Sequence, residues 1–386
     1  GFTEWTNVTK STPLFEDHYQ PHLPADFGFY DLRVREVMRE QIRLAKASGI
    51  DGFCYHYYWF SGKRLLERPL EQMLADPECA MPFCLCWANE NWTRRWDAAE
   101  NKVLMAQRYL PEDDLEFIRG LVPYFSDPRY IRLDGAPLLI VYRPQHMPDP
   151  ARSAQIWREH CRIAGIGEIH LCVALTHGNT EKPEGFDSTV DFPPHNVNVD
   201  APRQNAQLDF RQPFVGSVFD YADIAQGCLD NPHAPAPHFR TVFPSWDNSA
   251  RTGSRATIII NSSPENYEYW LSASMRKAAE ELPEGKQLVF INAWNEWAEG
   301  CHLEPDRRYG HAYLDATSRV RSGRSISRGF IDSVVRPLPA ARRKLWPELR
   351  SMLSYHAVMA LGDLASALKR YPRIRRLVRW LTGKGR

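Results

Sequence analysis

Residues 287–300 read QLVFINAWNEWAEG: an apolar run at 288–291, then Asn292, Trp294, Asn295, Glu296, Trp297 and Glu299 in quick succession. A short apolar, β-rich run with a polar boundary predicts a buried strand. The segment after it is unlike an ordinary turn, because two acids three residues apart are set among indoles and amides. The same pattern recurs upstream at approximately 50–56, 82–88, 137–143, 169–175, 187–192 and 240–245, which with 287–294 makes seven runs. Stretches with helical periodicity lie between them near 32–48, 111–126, 150–164 and 263–282, the last opened by Ser262-Ser263-Pro264-Glu265, which suits a helix N-terminus. Strands alternating with helices imply a parallel sheet, because every parallel return needs a crossover.

A (β/α)8 TIM-like barrel fits this alternation better than a doubly wound sheet. The reason is the composition of the strand ends, which repeatedly carry Trp, Tyr, His, Asn and Glu; in such barrels the C-terminal strand ends form the active face. Seven runs and a polar beginning predict that the first barrel strand lies upstream of Gly1. Pro-rich irregular stretches at 192–216 and 229–240 are long for barrel connections and read as binding loops or lids.

The composition, 43% hydrophobic and 25% charged over 386 residues, is that of a globular protein with a sizeable core. No run of eighteen apolar residues occurs, so no spanning helix is expected. The total charge of +1 hides an asymmetry: residues 316–386 hold 17 Lys or Arg against 3 Asp or Glu, leaving about 13 net negative charges on residues 1–315. This divides the chain into a barrel domain at 1–315 and a basic helical extension at 316–386. The bland reading of the extension is a solvated tail. The sharper one is peripheral contact with an anionic membrane, because Lys369, Arg370, Arg373, Arg375, Arg376 and Arg379 cluster around Leu377, Val378, Trp380 and Leu381. A cytoplasmic location, with or without that membrane contact, is the corresponding expectation. Nucleic-acid binding is disfavoured by the acidic barrel. The eight cysteines are scattered through apolar runs and read as buried thiols.

Paired carboxylates suit acid/base work at a glycosidic bond, where one group protonates the departing oxygen and the other stays ionised. Glu296 and Glu299 are the expected catalytic pair, with Trp294, Asn295 and Trp297 as binding neighbours and His302 and Glu304 in the next turn. Other strand ends supply Tyr55, His56 and Tyr58; Trp87, Asn89, Glu90, Asn91 and Trp92; and Trp246, Asp247 and Arg251. Rings interleaved with hydrogen-bonding side chains match sugars, which present apolar C–H faces and hydroxyl edges. His56, His177, His195 and His302 show no paired spacing such as H-x-x-x-H, so no metal is expected, and no glycine-rich phosphate cradle or G-x-S-x-G elbow is present. No cofactor is called for. A catalytically silent glycan-binding barrel remains the alternative from another class.

The runs GFTEWTNV, HYQPHLPADFGFYDLR, CWANENWTRRWD, VDFPPH, FPSWDN and NAWNEWAEGCHLEPD, in consistent order over residues 1–314, resemble the WbsX-like family. That family is described as glycosyltransferases of bacterial polysaccharide biosynthesis and as glycoside hydrolase family 99-like proteins. The resemblance implies an enzyme of O-antigen, capsule or exopolysaccharide metabolism with an oligosaccharide or polysaccharide partner. Related endo-α-mannosidases carry an E-W-H-E motif whose two acids match Glu296 and Glu299. By that similarity Glu296 deprotonates the sugar 2-hydroxyl, Glu299 protonates the departing oxygen, and a 1,2-anhydro sugar gives net retention. One position departs: the motif histidine is Ala298 here.

Overall fold

The computed structural model describes residues 3–94, 99–196, 201–230 and 234–324. The basic extension beyond residue 324 lies outside them, together with the helices expected there. Seven parallel strands run through the central sheet, which two short antiparallel strands complete: β1 (Phe53–Phe60), β2 (Phe83–Trp87), β3 (Ala136–Val141), β4 (His170–Leu175), β5 (Ser188–Asp191), β6 (His238–Val242) and β7 (Val289–Ile291). Each pairs in parallel with the next in chain order. A doubly wound sheet reverses direction at a switch point. This sheet never does, so its twist accumulates in one sense and the sheet curls.

The curl brings the two ends of the sheet together. Phe53 at the start of β1 meets Trp294 just past β7, with ring centroids 5.3 Å apart. No hydrogen bonds pair β7 with β1 among the described residues. The outcome is a mixed α/β fold around a curled, open parallel sheet, whose seven strands follow the seven apolar runs. An eighth strand closing the barrel is not among the described residues.

The helices are α1 (Trp5–Lys10), α2 (Arg35–Ala47), α3 (Glu67–Ala75), α4 (Asp113–Phe125), α5 (Pro150–Ile163), α6 (Tyr221–Asp230), the short α7 (Ser249–Thr252), α8 (Pro264–Glu281) and α9 (Ala312–Arg321); α1 and α7 pack on one another and on residues 297–299 at the strand ends, and the others form the outer layer. The start signals act as the sequence suggests. Ser263 caps α8 by accepting from Asn266 N–H, and Asp149 caps α5 by accepting from Arg152 N–H, each with proline in the first turn. Helix α9 runs through residue 315 and packs on α8, so it belongs to the same compact unit as the sheet. No described helix is long and apolar enough to cross a membrane.

Strand parity decides which side chains the helices cover. On β1, Tyr57 packs edge-on against Phe117 and Tyr124 of α4; on β2, Trp87 packs on Phe117 and on Trp157 of α5. Odd positions of both strands therefore face the helices, and His56, Tyr58, Cys84 and Cys86 face the interior of the curl. Outside the irregular stretches a small side sheet forms, in which Ser217–Asp220 pairs in parallel with Thr257–Ile260 and Trp246–Asp247 pairs antiparallel to it. This sheet fixes the segment that comes after β6.

Candidate active site

The cleft lies at the C-terminal ends of the strands, and Arg251 on α7 is its electrostatic centre. Its Nη1 donates to Glu299 Oε1 at 2.5 Å and its Nη2 to Glu296 Oε2 at 3.0 Å. Its Nε and Nη2 also reach both oxygens of Glu4, at 2.8 and 2.6 Å. Burial alone would lower the basicity of Arg251, but the carboxylates of Glu299, Glu296 and Glu4 outweigh it and raise it well above its ordinary value. Because Glu296 and Glu299 bind neighbouring nitrogens of one guanidinium, their bound oxygens are at most about 8 Å apart, close enough for both to reach one glycosidic bond. Both remain open to solvent, with side chains 36% and 22% exposed.

The opposite wall comes from β1 and β2. His56 and Tyr58 stack at 5.9 Å, and Tyr58 meets Trp92 edge-on at 5.0 Å. Burial raises the Tyr58 phenol above its ordinary value, and the charge of Glu296 adds to the rise. His56 is held below its ordinary basicity by desolvation, opposed by Glu296 and Glu90 on either side. Glu90 in turn pairs with Arg143 at 3.2 Å, and Arg143 bonds His146 at 2.9 Å. Farther round, the His177 and His195 rings lie tilted against each other at 4.2 Å, and His195 leads to Trp246 at 6.5 Å. Trp246 Nε1 is buried with no hydrogen-bond partner among the described residues.

Several expected ligand contacts are instead supports. Tyr55 and Trp87 occupy odd positions and pack on the helix side, Tyr55 against Phe53 and Phe83. Trp297, expected as a sugar platform, is buried; it stacks on His302 at 3.8 Å and donates to Glu304 at 2.7 Å. Asn89 is fully buried and holds the β2 and β3 ends together through both the N–H and the carbonyl of Arg143, at 2.7 and 2.8 Å. Asp247 is buried and accepts from His18 at 2.7 Å and Gln20 at 2.6 Å. Burial pushes its carboxyl up, but the His18 contact and its other donors hold it below the usual range. Asn91, exposed at the rim, accepts from Gln107 N–H. Trp294 is half-buried between the sheet edges.

Glu304 forms the floor beneath the acid pair. Its buried carboxyl accepts from Tyr30 and Trp297 at 2.7 Å each and from Gln41 at 2.6 Å, while Asn295 donates to Tyr30 at 3.0 Å. Burial pushes Glu304 up to about 7 against the downward pull of those hydrogen bonds. Gly300 closes the loop with φ +57°; a Cβ there would lie 3.0 to 3.1 Å from Asp247 main-chain and Cβ atoms. Ala298, where the mannosidase motif has histidine, is fully buried with Val8 and Trp297 and does not line the cleft.

Sequence reasoning did not single out Glu4, Tyr30, Gln41, His18, Gln20 or Arg143. All but Arg143 lie in the first 41 residues, hundreds of positions from most of their partners, and carry no local spacing to flag them. Glu4, His18, Gln20 and Tyr30 do fall inside the two N-terminal motifs of the family resemblance.

A curled parallel sheet with helices outside and an acidic, aromatic-walled cleft at its strand ends defines a β/α protein with a barrel-like site face. The chain belongs to the family described as glycosyltransferase WbsX, whose model matches residues 1–317. It is 46% identical over 324 residues to the uncharacterized protein WxcX of Xanthomonas campestris pv. campestris, in strains B100 and ATCC 33913. That match covers 83% of this chain and 46% of the relative, so the chain spans about half the length of the curated relatives it matches. Among solved structures, a glycoside hydrolase-like protein superposes with a TM-score of 0.53 at 14% identity, covering 83% of this chain and 99% of that one. The GH99 endo-α-mannosidase of Bacteroides thetaiotaomicron gives 0.48 at 15% identity, covering 79% and 85%.

Proposed function

We propose that this protein is a retaining, endo-acting α-glycosidase or transglycosylase of bacterial polysaccharide metabolism, with Glu296 and Glu299 as its catalytic residues. One observation carries the reading: two solvent-open carboxylates converge on a single guanidinium inside an aromatic-walled cleft at the strand ends. An oligosaccharide or polysaccharide chain is the partner that rings such as Tyr58 and Trp92 and the surrounding hydrogen-bonding groups suit.

In the proposed sequence Glu296 takes the proton of the sugar 2-hydroxyl, and that oxygen attacks the anomeric carbon. The glycosidic bond breaks as Glu299 protonates the leaving oxygen. Glu299, now a carboxylate, then takes a proton from water or from an acceptor hydroxyl, which opens the 1,2-anhydro ring from the other side. Oxygen-2 recovers its proton from Glu296, and two inversions give retention. Arg251 donates to both acids, and a carboxyl that is to deliver a proton must first be free of such a contact. The reading therefore requires Glu299 to release its Arg251 contact when the glycosidic oxygen arrives. Glu4, held by two bonds to the same guanidinium, keeps that cation neutralised while it does so.

A second reading, glycosyl transfer from a nucleotide-sugar or lipid-linked donor, is favoured by the description of the family itself. Defined α-mannan, O-antigen and capsule fragments incubated with the full chain, with products read by mass spectrometry and anomeric NMR, test the first. A retained product lost in Glu296→Gln and in Glu299→Gln supports it; turnover unchanged in both variants overturns it. Calorimetric binding of a nucleotide sugar in the micromolar range would favour transfer, and saturable glycan binding with no bond cleaved would favour the silent barrel.

A further inference from the structure

Behind the acid loop, on the far side of Trp297, His22, His302 and Asp306 converge, with one ligand-type atom from each within 4.8 Å of the others. We propose that these three residues form a binding site for one borderline divalent cation of the Zn²⁺ type, which ties the N-terminal segment to the loop carrying Glu296 and Glu299. This is independent of the glycosidase reading.

The donor atoms are suitably spaced. His22 Nδ1 lies 3.2 Å from His302 Nε2, and His302 Nε2 lies 4.0 Å from Asp306 Oδ2. Tetrahedral ligands about 2.0 to 2.2 Å from zinc sit roughly 3.3 to 3.6 Å from one another, so movements of about an ångström complete the geometry. Two imidazoles and a carboxylate are the donor set such ions favour.

The ligands are oriented by their other bonds. His302 Nδ1 donates to the Glu304 carbonyl at 3.1 Å, which leaves its Nε2 lone pair facing His22 and Asp306. Asp306 Oδ1 accepts from the N–H groups of Arg308 and Tyr309 at 2.9 and 2.6 Å, which turns Oδ2 toward the histidines. His302 and Asp306 are buried, while His22 is half-buried and leaves a route to solvent for the ion and for a water as fourth ligand. Without an ion, His22 Nδ1–H donates to His302. With one, that proton moves to His22 Nε2 through solvent, with no net proton lost from the pair. Arg308 opposes a cation here, but its guanidinium is held over the Tyr19 ring at 4.5 Å.

Untagged full chain, stripped with a chelator and shown folded by circular dichroism, is titrated with Zn²⁺ by calorimetry and with Co²⁺ by visible absorption. The expected result is one ion per chain, four-coordinate cobalt bands, a higher melting temperature with Zn²⁺, and binding weakened about tenfold or more in His22→Gln and in Asp306→Asn. His311→Gln, at an exposed histidine paired with Asp26, should bind as the wild type does. Folded wild-type protein that takes up no ion overturns the proposal without recourse to any variant, as does uptake that both ligand variants leave unchanged. Neither readout depends on turnover, so this site and the glycosidase assignment can fail separately.

Discussion

The loop after β7 holds carboxyls in two opposite environments. Glu296 and Glu299 are open to water and share the charge of Arg251, whereas Glu304, a few residues on, is sealed beneath Trp297 and satisfied by three donors. The first arrangement keeps charge where a substrate can meet it. The second uses a carboxyl as an acceptor that locks a tryptophan, a tyrosine and a glutamine into one geometry. Position along the chain does not separate these roles; which side of Trp297 the side chain lies on does.

The sharpest test swaps each acid for its neutral isostere. Glu296→Gln and Glu299→Gln should each cut turnover about 10³-fold or more, equivalent to about 4 kcal/mol, while stability moves little because both side chains reach solvent. Single-turnover kinetics beside a thermal melt would show it, and a large loss of stability in either variant would erase the contrast with Glu304. Glu304→Ala should behave in the reverse manner. It leaves buried donors of Tyr30, Trp297 and Gln41 without their acceptor, at a cost of about 3 kcal/mol read as a lower denaturant midpoint. A melt indistinguishable from wild type would mean that the floor is not structural. Gly300→Ala comes next, at about 2 kcal/mol, because it combines a left-handed backbone with a Cβ pressed on the main chain of Asp247. It should lower both stability and turnover, since Gly300 directly succeeds Glu299; denaturation and kinetics on the same sample would check it.

The sheet was legible because strands such as β2, β3 and β4 are buried on both faces, so each appears as a continuous apolar run, and the helices between them carry caps such as Ser263 and Asp149. That same burial hid the direction of the side chains. In the run from Tyr55 to Trp59 nothing local says that His56 and Tyr58 line the cleft while Tyr55 and Tyr57 meet the helix layer, because rings occupy both parities. Trp297 and Asp247 were read as ligand contacts for a related reason: a buried indole or carboxylate with distant partners has the same local sequence as an exposed one. The acid pair proposed as catalytic stands out in the sequence because its two residues are close in the chain. Arg251 was expected at the site, but Glu4, which balances its charge, was not, since the two lie 247 positions apart and meet only when the N-terminal helix docks on α7.

That long-range contact yields the smallest predicted effect and the one that best separates charge from scaffold. Glu4 touches neither acid in the hydrogen bonds of Arg251, yet it neutralises the cation they share. In Glu4→Gln the guanidinium keeps its place through one remaining acceptor but turns its unbalanced charge on Glu296 and Glu299. Glu299 must then give up a stronger contact before it can carry a proton to the leaving oxygen, so turnover should fall about tenfold, roughly 1.4 kcal/mol, with KM nearly unchanged. The alkaline limb of the rate profile should also move to lower pH, because a more positive surrounding disfavours the protonated acid. Glu4→Asp, which keeps the charge on a shorter arm, should restore the limb even where it does not restore the full rate. If Glu4→Gln lowers stability and rate together with the profile unmoved, Glu4 is a fastener for the N-terminal helix and the electrostatic role assigned to it is wrong.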